Sequence, residues 1–172
     1  PLAAIAAIAA LGLAACSSGA APSSQPSAAS GDTASATQAS SVTIDANDGA
    51  VEINLPVTRA ASLDNRTFEV LQQWDVELVA APKKLIPSTI TAFNGEGIAD
   101  VGMHRDPNLE ALVAAEPDLI ISGQRFSKFD SQIKELTPDV PLINLEPHDG
   151  QPFDKELNRP VTDLGEIFGK QA

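Results

Sequence analysis

Apolar and polar residues alternate with a period of two in two short runs near residue 42, and longer stretches with helical periodicity follow. The runs are residues 42–45 and 51–54, and Asn47-Asp48-Gly49 between them supplies residues that tolerate a positive φ in a tight turn. This pattern predicts a β-hairpin at the start of the folded region. Pro56 ends its second strand, because proline has no N–H for a sheet ladder.

After the hairpin, short β-like runs alternate with helical segments. The predicted strands are 59–63, 76–80, 98–101, 119–121 and 142–145. Four helices are predicted. The first has Asp64 or Asn65 as its cap and extends to Trp74, the second and third span 107–115 and 127–136, and the fourth begins near Phe153. A loop with a short helix follows Pro82. This order predicts an α/β fold, a mainly parallel sheet flanked by helices with an N-terminal β-hairpin.

Each predicted helix has one apolar face that we expect to pack on the sheet. The inward positions are Phe68, Val70, Leu71 and Trp74 in the first helix, Leu109, Leu112 and Val113 in the second, Phe129, Ile133 and Leu136 in the third, and Leu157, Val161, Leu164, Ile167 and Phe168 in the last. The last helix is still amphipathic at residue 172, which predicts that the sequence is cut there.

The first 41 residues have a different composition, with Asp32 as their one charged side chain. Residues 2–13 form an Ala/Leu/Ile run that is too short to cross a membrane and fits the apolar part of a secretory signal. No Met or Lys/Arg cluster precedes it, so we expect residues 1–15 to be a partial lipoprotein signal peptide. Cys16 follows Leu13-Ala14-Ala15, which resembles the bacterial lipoprotein box; a chance Cys or an ordinary cleavage site are the alternatives.

Cys16 is the one cysteine of the chain, so it cannot form an internal disulfide, and we interpret it as a lipidation site. Residues 17–41 are rich in Ser, Ala, Pro and Thr and lack apolar periodicity. The sequence thus predicts a lipidated Cys with a disordered tether over 16–41. Acyl chains would hold the protein on the outer face of the cell membrane.

Charge and motifs narrow the function further. The formal net charge is −12, which argues against nucleic-acid binding but leaves room for a local cationic pocket. The sequence has no G-x-S-x-G, H-E-x-x-H, P-loop or G-x-G-x-x-G motif, so we expect that the protein is not an enzyme. With no Tyr and two distant His, it also lacks a ligand set for a bare metal ion, and we expect no resident cofactor.

Residues 101–126, VGMHRDPNLEALVAAEPDLIISGQRF, resemble the core signature of the iron-siderophore binding proteins of ABC transporters, in an actinobacterial-like form. The segments PNLE, EPDLII and SGQR follow the family's order, SKFDSQIKELTP continues the match, and LGEIFG resembles the start of its long interlobe helix. The likeness covers roughly residues 59–170. It implies that 42–152 form the N-terminal lobe of a two-lobed protein and that 153–172 begin the helix between lobes.

The resemblance implies capture of a ferric siderophore and its delivery to ABC permease subunits. Arg125, directly after a predicted parallel strand, is the first candidate contact, because guanidinium binds anionic oxygens in a fork and stacks on rings. Many siderophore binders have Arg directly after Ser-Gly, whereas Gln124 intervenes here. The other candidates are Arg105, His104, Arg66, Gln124, Met103 and Phe126.

Each candidate has a simpler interpretation as well. Arg125 and Arg66 can be ordinary helix-start residues, His104 and Arg105 can lie in a solvated loop, and aromatic residues at helical spacing are more often core. Haem or cobalamin binding in the same family, or a tethered surface adhesion module, are the alternative functions. The family also implies acidic permease contacts, for which Glu96, Asp100 and Glu110 are candidates.

Overall fold

The structure is a computed structural model that describes residues 40–170. The predicted signal segment 1–15, the lipidation site Cys16 and nearly all of the tether 16–41 therefore lie outside the described residues. The described part contains nine strands and four α-helices. They are β1 Ser41–Ala46, β2 Gly49–Asn54, β3 Ala60–Ser62, α1 Phe68–Gln73, β4 Leu78–Ala81, β5 Ala99–Asp100, β6 Gly102–Met103, β7 Asp106–Pro107, α2 Leu109–Ala114, β8 Leu119–Ser122, α3 Asp130–Leu136, β9 Leu142–Asn144 and α4 Phe153–Phe168.

Five of these strands form one sheet in the order β5-β4-β3-β8-β9, and every neighbouring pair is parallel. The central strands β3 and β8 are buried along their whole length, as expected when helices cover both faces of a parallel sheet. The prediction of a mainly parallel α/β sheet flanked by helices is confirmed.

Two apolar clusters form the core on either side of this sheet. Successive residues of β8 alternate between them: Ile121 packs with Phe68 and Leu71, whereas Ile120 packs with Leu112 and Ile133. This alternation follows from the period of two in a strand. The helices that connect the parallel strands therefore pack on apolar side chains of the sheet.

The predicted hairpin is present as β1 paired antiparallel with β2. Its inward residues Ile44 and Ile53 are buried in the first cluster, and the backbone N–H of Asn47 donates to the carbonyl of Asn144 at 2.9 Å. The hairpin thus lies beside β9, the edge strand of the sheet, and covers an edge that would otherwise be open to another chain.

Several details differ from the sequence prediction. Thr67, not Asp64 or Asn65, is the N-cap residue of α1, and the Asp64 carboxylate accepts from the backbone N–H of Arg66 in the turn that precedes the helix. Leu136 is 47% exposed although it was expected to pack inward, since the buried face of α3 runs through Asp130, Ile133 and Thr137. Val113 is also exposed, at the margin of the two-turn helix α2. The β6–β7 hairpin was not predicted.

Helix α4 begins at Phe153 as predicted, but only its second half packs on the core. Leu164 and Ile167 are buried, whereas Phe153, Leu157 and Val161 are 76%, 64% and 47% exposed and lie on one stripe at i, i+4 and i+8. No helix among residues 40–170 has the length and apolar character that a membrane crossing requires.

Arg159 fixes the position of α4. Its guanidinium donates to Glu156 Oε2 at 3.0 Å and Asp163 Oδ2 at 3.2 Å within the helix, and to the backbone carbonyls of Asp45 and Glu146 outside it. One side chain therefore connects α4 to β1 and to the loop after β9.

Candidate ligand site at the carboxyl edge of the sheet

Because the five strands are parallel, all their carboxyl ends meet at one edge of the sheet, where open α/β folds bind ligands. The loops that follow β3, β4, β5 and β8 at this edge contain six of the eleven basic residues of the chain. They are Arg66, Lys83, Lys84, Arg105, Arg125 and Lys128. The same loops contain three acidic residues, Asp64, Glu96 and Asp106, and the loop after β9 adds Glu146 and Asp149. The edge therefore has a small excess of positive charge in a chain with a formal net charge of −12, and it is called the cationic edge below.

The β6–β7 hairpin places His104 and Arg105 at its turn. The pKa of His104 is lowered, first by partial burial of the ring and then by the positive charges of Arg125, Arg105 and Lys128. The three cations therefore lie within electrostatic range of His104, although two loops supply the four side chains. Within the described part of the chain, the buried Nδ1 atom of His104 has no hydrogen-bond partner.

Arg125 lies in the loop between β8 and α3, and its side chain is exposed to solvent. Gln124 before it has a φ of 52°, a left-handed conformation that is uncommon for a residue other than glycine. The backbone N–H of Phe126 donates to Gly123 O at 3.2 Å, and the hydroxyl of Ser127 donates to Gln124 O at 2.6 Å. Gln124 thus turns the chain so that Arg125 is exposed while Phe126 enters the core.

Phe126 is 1% exposed and belongs to the second apolar cluster. Its ring is therefore a core ring that anchors the loop, which is the simpler of the two interpretations given for it above. Met103 is half-buried in β6, next to His104.

A small pocket of about 120 Å³ connects three of the strand-end loops. It is lined by Leu63, Asn65, Leu85, Gln124, Arg125 and Phe126. Asn65 and Leu85 were not among the ligand contacts expected from the sequence, although both lie just after strands, β3 and β4, whose carboxyl ends meet at this edge. Pockets for drug-sized ligands are commonly about 300–1,000 Å³, so this pocket has room for one group of a larger ligand.

Arg66 has a different environment from Arg125. Its Nε atom lies 3.0 Å and its Nη2 atom 2.5 Å from Oδ2 of the buried Asp64, and Nη2 also donates to Leu145 O at 3.4 Å. Its side chain is still 34% exposed. Arg66 therefore joins the loops after β3 and β9 and offers its remaining surface at the edge.

Gly123 packs directly against this ion pair. A Cβ atom at position 123 would lie 2.5 Å from Asp64 Oδ2 and 3.1 Å from Arg66 Nη2, so no other residue fits without a shift. Sequence analysis did not identify Asp64 as the partner of Arg66, although the two are only two positions apart. The close approach of Gly123 to this pair is visible only in three dimensions.

A buried polar network lies beneath the Arg125 loop. Asp130, at the start of α3, accepts hydrogen bonds from Ser122 Oγ and from Asn144 Nδ2. Burial raises the pKa of the Asp130 carboxyl, and these two donors oppose that rise. The sequence analysis did not identify this network either; the polar last residues of two otherwise apolar strands were its one signal.

Larger cavities lie away from the cationic edge. One of about 490 Å³ is bounded by α1 and β4 and includes Asp75 and Glu77, and one of about 500 Å³ lies between the hairpin and the end of α4. Among residues 40–170, no group of three or more His, Cys, Asp or Glu side chains is placed to hold a metal ion.

Comparisons with known proteins agree with this architecture. The chain is 29% identical over 133 residues to the ferric-anguibactin-binding protein FatB of Vibrio anguillarum, an alignment that covers 76% of this chain and 41% of FatB. It is 26% identical over 90 residues to the petrobactin-binding protein YclQ of Bacillus subtilis, which covers 52% of the chain and 27% of YclQ. The chain thus spans less than half the length of these relatives.

Solved structures share the fold. The structure of YclQ superposes with a TM-score of 0.66 at 22% identity over 76% of this chain and 46% of YclQ. The siderophore-binding protein BauB, bound to ferric iron and two molecules of acinetobactin, gives a TM-score of 0.64 at 25% identity over 76% of this chain and 46% of BauB. A family model described as periplasmic binding protein matches residues 61–172, and this chain therefore belongs to the periplasmic binding protein family.

Proposed function

We propose that the chain is part of an extracytoplasmic solute-binding lipoprotein that captures a ferric siderophore and delivers it to an ABC importer. The observation that carries this proposal is the group of Arg125, Arg105, Lys128 and His104 from separate loops at the carboxyl edge of the sheet. The printed names of FatB and YclQ, which are binding proteins for ferric anguibactin and petrobactin, support the class of ligand.

The chemistry of the cationic edge suits such a ligand. A ferric complex of a catecholate chelator carries several negative charges on planar, oxygen-rich groups, and guanidinium groups can donate to those oxygens in pairs and stack on the rings. The protein binds such a complex without making or breaking covalent bonds, and the iron stays bound to its chelator. Half of the cleft is then formed by this edge.

The exposed stripe of α4 supports the division of the protein into two lobes. We infer that residues 42–152 form the N-terminal lobe and that 153–172 begin the helix that leads to a second lobe. Phe153, Leu157 and Val161 would face that lobe, because three large apolar side chains in one row are costly to leave in water. The short alignment to the relatives is consistent with this division.

The location and partners follow from the same proposal. Residues 1–15 would be the signal peptide, and Cys16 would anchor the protein to the outer face of the membrane through the tether over residues 16–41. Among the candidate permease contacts, Glu96 and Glu110 are exposed. Asp100 Oδ1 already accepts from the backbone N–H groups of Lys83 and Gly102, at 3.1 and 2.9 Å. Glu96 and Glu110 are therefore the better candidates.

Calorimetric titration of the natural full-length protein, prepared without lipid, tests the ligand class. The panel contains ferric catecholate and hydroxamate complexes, haem, cobalamin and bare Fe(III). We expect tight binding of one ferric siderophore and a loss of roughly tenfold or more in affinity for Arg125→Ala, because a charged hydrogen bond contributes about 1.5–3 kcal/mol. Tryptophan fluorescence is less suitable, since Trp74 lies beside Thr58 and Asp75, away from the cationic edge.

Lys134→Ala is the matched control. Lys134 is a cation of α3 that pairs with Asp48 at 3.2 Å, and exposed pairs of this kind contribute little stability. Its removal should leave ligand affinity unchanged. Binding of haem or cobalamin instead would mean that the protein binds another ligand class of the same family. If no member of the panel binds, the adhesion module is favoured.

A further inference from the structure

A buried carboxylate holds the base of the loop that carries Arg125. This loop, residues 123–129, is called the Arg125 loop below. Asp130 directly follows it, and its Oδ1 accepts a hydrogen bond from Ser122 Oγ while its Oδ2 accepts one from Asn144 Nδ2 at 2.9 Å. All three side chains are buried, and Asp130 is 5% exposed. One carboxylate therefore joins the ends of β8 and β9 to the start of α3.

The bond between Ser122 and Asp130 closes the Arg125 loop at both of its ends. Inside the loop, Gln124 keeps the left-handed φ of 52°. Such a conformation costs about 1–3 kcal/mol at a residue other than glycine and persists only where the surroundings hold it. Phe126 anchors the middle of the loop in the core. The hydroxyl of Ser127 also donates to Gln124 O inside the loop, at 2.6 Å. The direction of Arg125 then depends on where the two ends of the loop are held.

The same network reaches the neighbouring loop. Asn144 Oδ1 accepts from the backbone N–H of Glu146 at 3.0 Å, and the N–H of Leu145 donates to Ser122 O at 3.3 Å. Leu145 in turn gives its carbonyl to Arg66. Asp130 is therefore connected, through a series of hydrogen bonds, to the groups that hold Arg66 and Arg125.

We propose that Asp130 is a positioning residue that sets the direction of Arg125 toward the ligand without touching the ligand itself. This inference rests on the proposed function of the site. A buried carboxylate with two side-chain donors is suited to the task, because replacing it leaves a buried donor without an acceptor. The side chain of Asp130 has no access to the cleft, so its effect on binding must pass through the loop.

Asp130→Asn is the variant that tests the proposal. Asparagine has nearly the same shape, but its amide nitrogen replaces one of the two accepting oxygens, so at least one of the bonds to Ser122 and Asn144 is lost or reversed in direction, and the negative charge is removed. We expect the affinity of the full-length protein for its ferric siderophore to fall about tenfold. In the background of Arg125→Ala, Asp130→Asn should cause little further loss, because residues that act as one unit are not additive.

Two further variants keep the test decisive. Thr137→Val is the control for stability: Thr137 is the buried C-cap residue of α3, and its hydroxyl donates to Ile133 O at 2.8 Å, away from the Arg125 loop. It should lower the melting temperature with no change in affinity. The Ser122→Ala variant lacks one of the two hydrogen bonds to Asp130. It is tested in place of Asp130→Asn if that variant does not fold.

The outcomes separate this inference from the proposed function. An unchanged affinity for Asp130→Asn, or the same fold loss with and without Arg125, would overturn the role of Asp130. If the unmodified protein binds no ferric complex, the proposed function fails, and amide hydrogen exchange of residues 123–129 decides the rest. Faster amide exchange of the Arg125 loop in the Asp130→Asn variant than in the Thr137→Val variant supports the positioning role of Asp130, and equal exchange refutes it.

Discussion

His104 lies among positive charges at the turn of the β6–β7 hairpin. Its charged form is disfavoured twice, because partial burial removes water from the ring and because Arg125, Arg105 and Lys128 repel a fourth positive charge. Both effects lower the pKa of the imidazole below its ordinary value of about 6.5. The pKa of His104 therefore reports how closely the cations of the site approach the imidazole ring.

We expect an NMR titration to give His104 a pKa below that ordinary value, and Arg125→Ala to raise it. The rise follows because the substitution removes one of the positive charges that oppose protonation. His148 is the other histidine of the chain, so a His148→Gln variant assigns the signals. Lys134→Ala should leave the titration unchanged. An identical His104 titration with and without Arg125 would show that the two side chains are not neighbours.

The candidate site was partly predictable from single residues. Arg125, His104 and Arg105 were identified because each follows a predicted strand, and the parallel sheet brings those strand ends to one edge. The environment of Arg66 was not predictable, since it depends on Asp64, Gly123 and Leu145 from three separate loops. Periodicity describes which side of an element a residue occupies, but it contains no information on contacts between loops.

Among the larger elements, the strands were predicted better than the helix faces. Apolar runs such as Leu119–Ser122 are buried on both faces of the sheet. Such a run can be recognised as a strand without knowing which of its residues face inward. The start of α3 was predicted at residue 127 but lies at Asp130, because residues 124–129 form a 3-10 helix with a tighter repeat. That segment shifts the phase of α3, and Leu136 consequently faces solvent.

The exposed stripe on α4 leads to a prediction for this helix. If a second lobe covers Phe153, Leu157 and Val161, Leu157→Asn should destabilise the full-length protein by about 1–3 kcal/mol, because a buried leucine contributes that much. Denaturant unfolding measures the effect, with Lys155→Ala on the same helix as the control. Equal stability of the two variants would mean that water surrounds Leu157 in the full-length protein as well.

This chain separates its charges. Its formal net charge is −12, yet six basic residues lie in the loops of one edge, so an anionic ligand is repelled by the chain at long range and attracted at the site. The two effects differ in range. Salt screens both, and the sign of its effect on affinity shows which of them controls binding.

We expect the local attraction to control affinity. Between about 50 and 500 mM salt the Debye length falls from roughly 14 to 4 Å, so contacts between exposed cations and a ferric siderophore weaken. The dissociation constant of the unmodified protein, measured by calorimetric titration, should therefore rise several-fold over this range. Arg125→Ala should show a smaller rise, because it has one attractive contact fewer. Tighter binding at high salt would contradict this prediction and would mean that repulsion by the acidic remainder of the molecule outweighs the cationic edge.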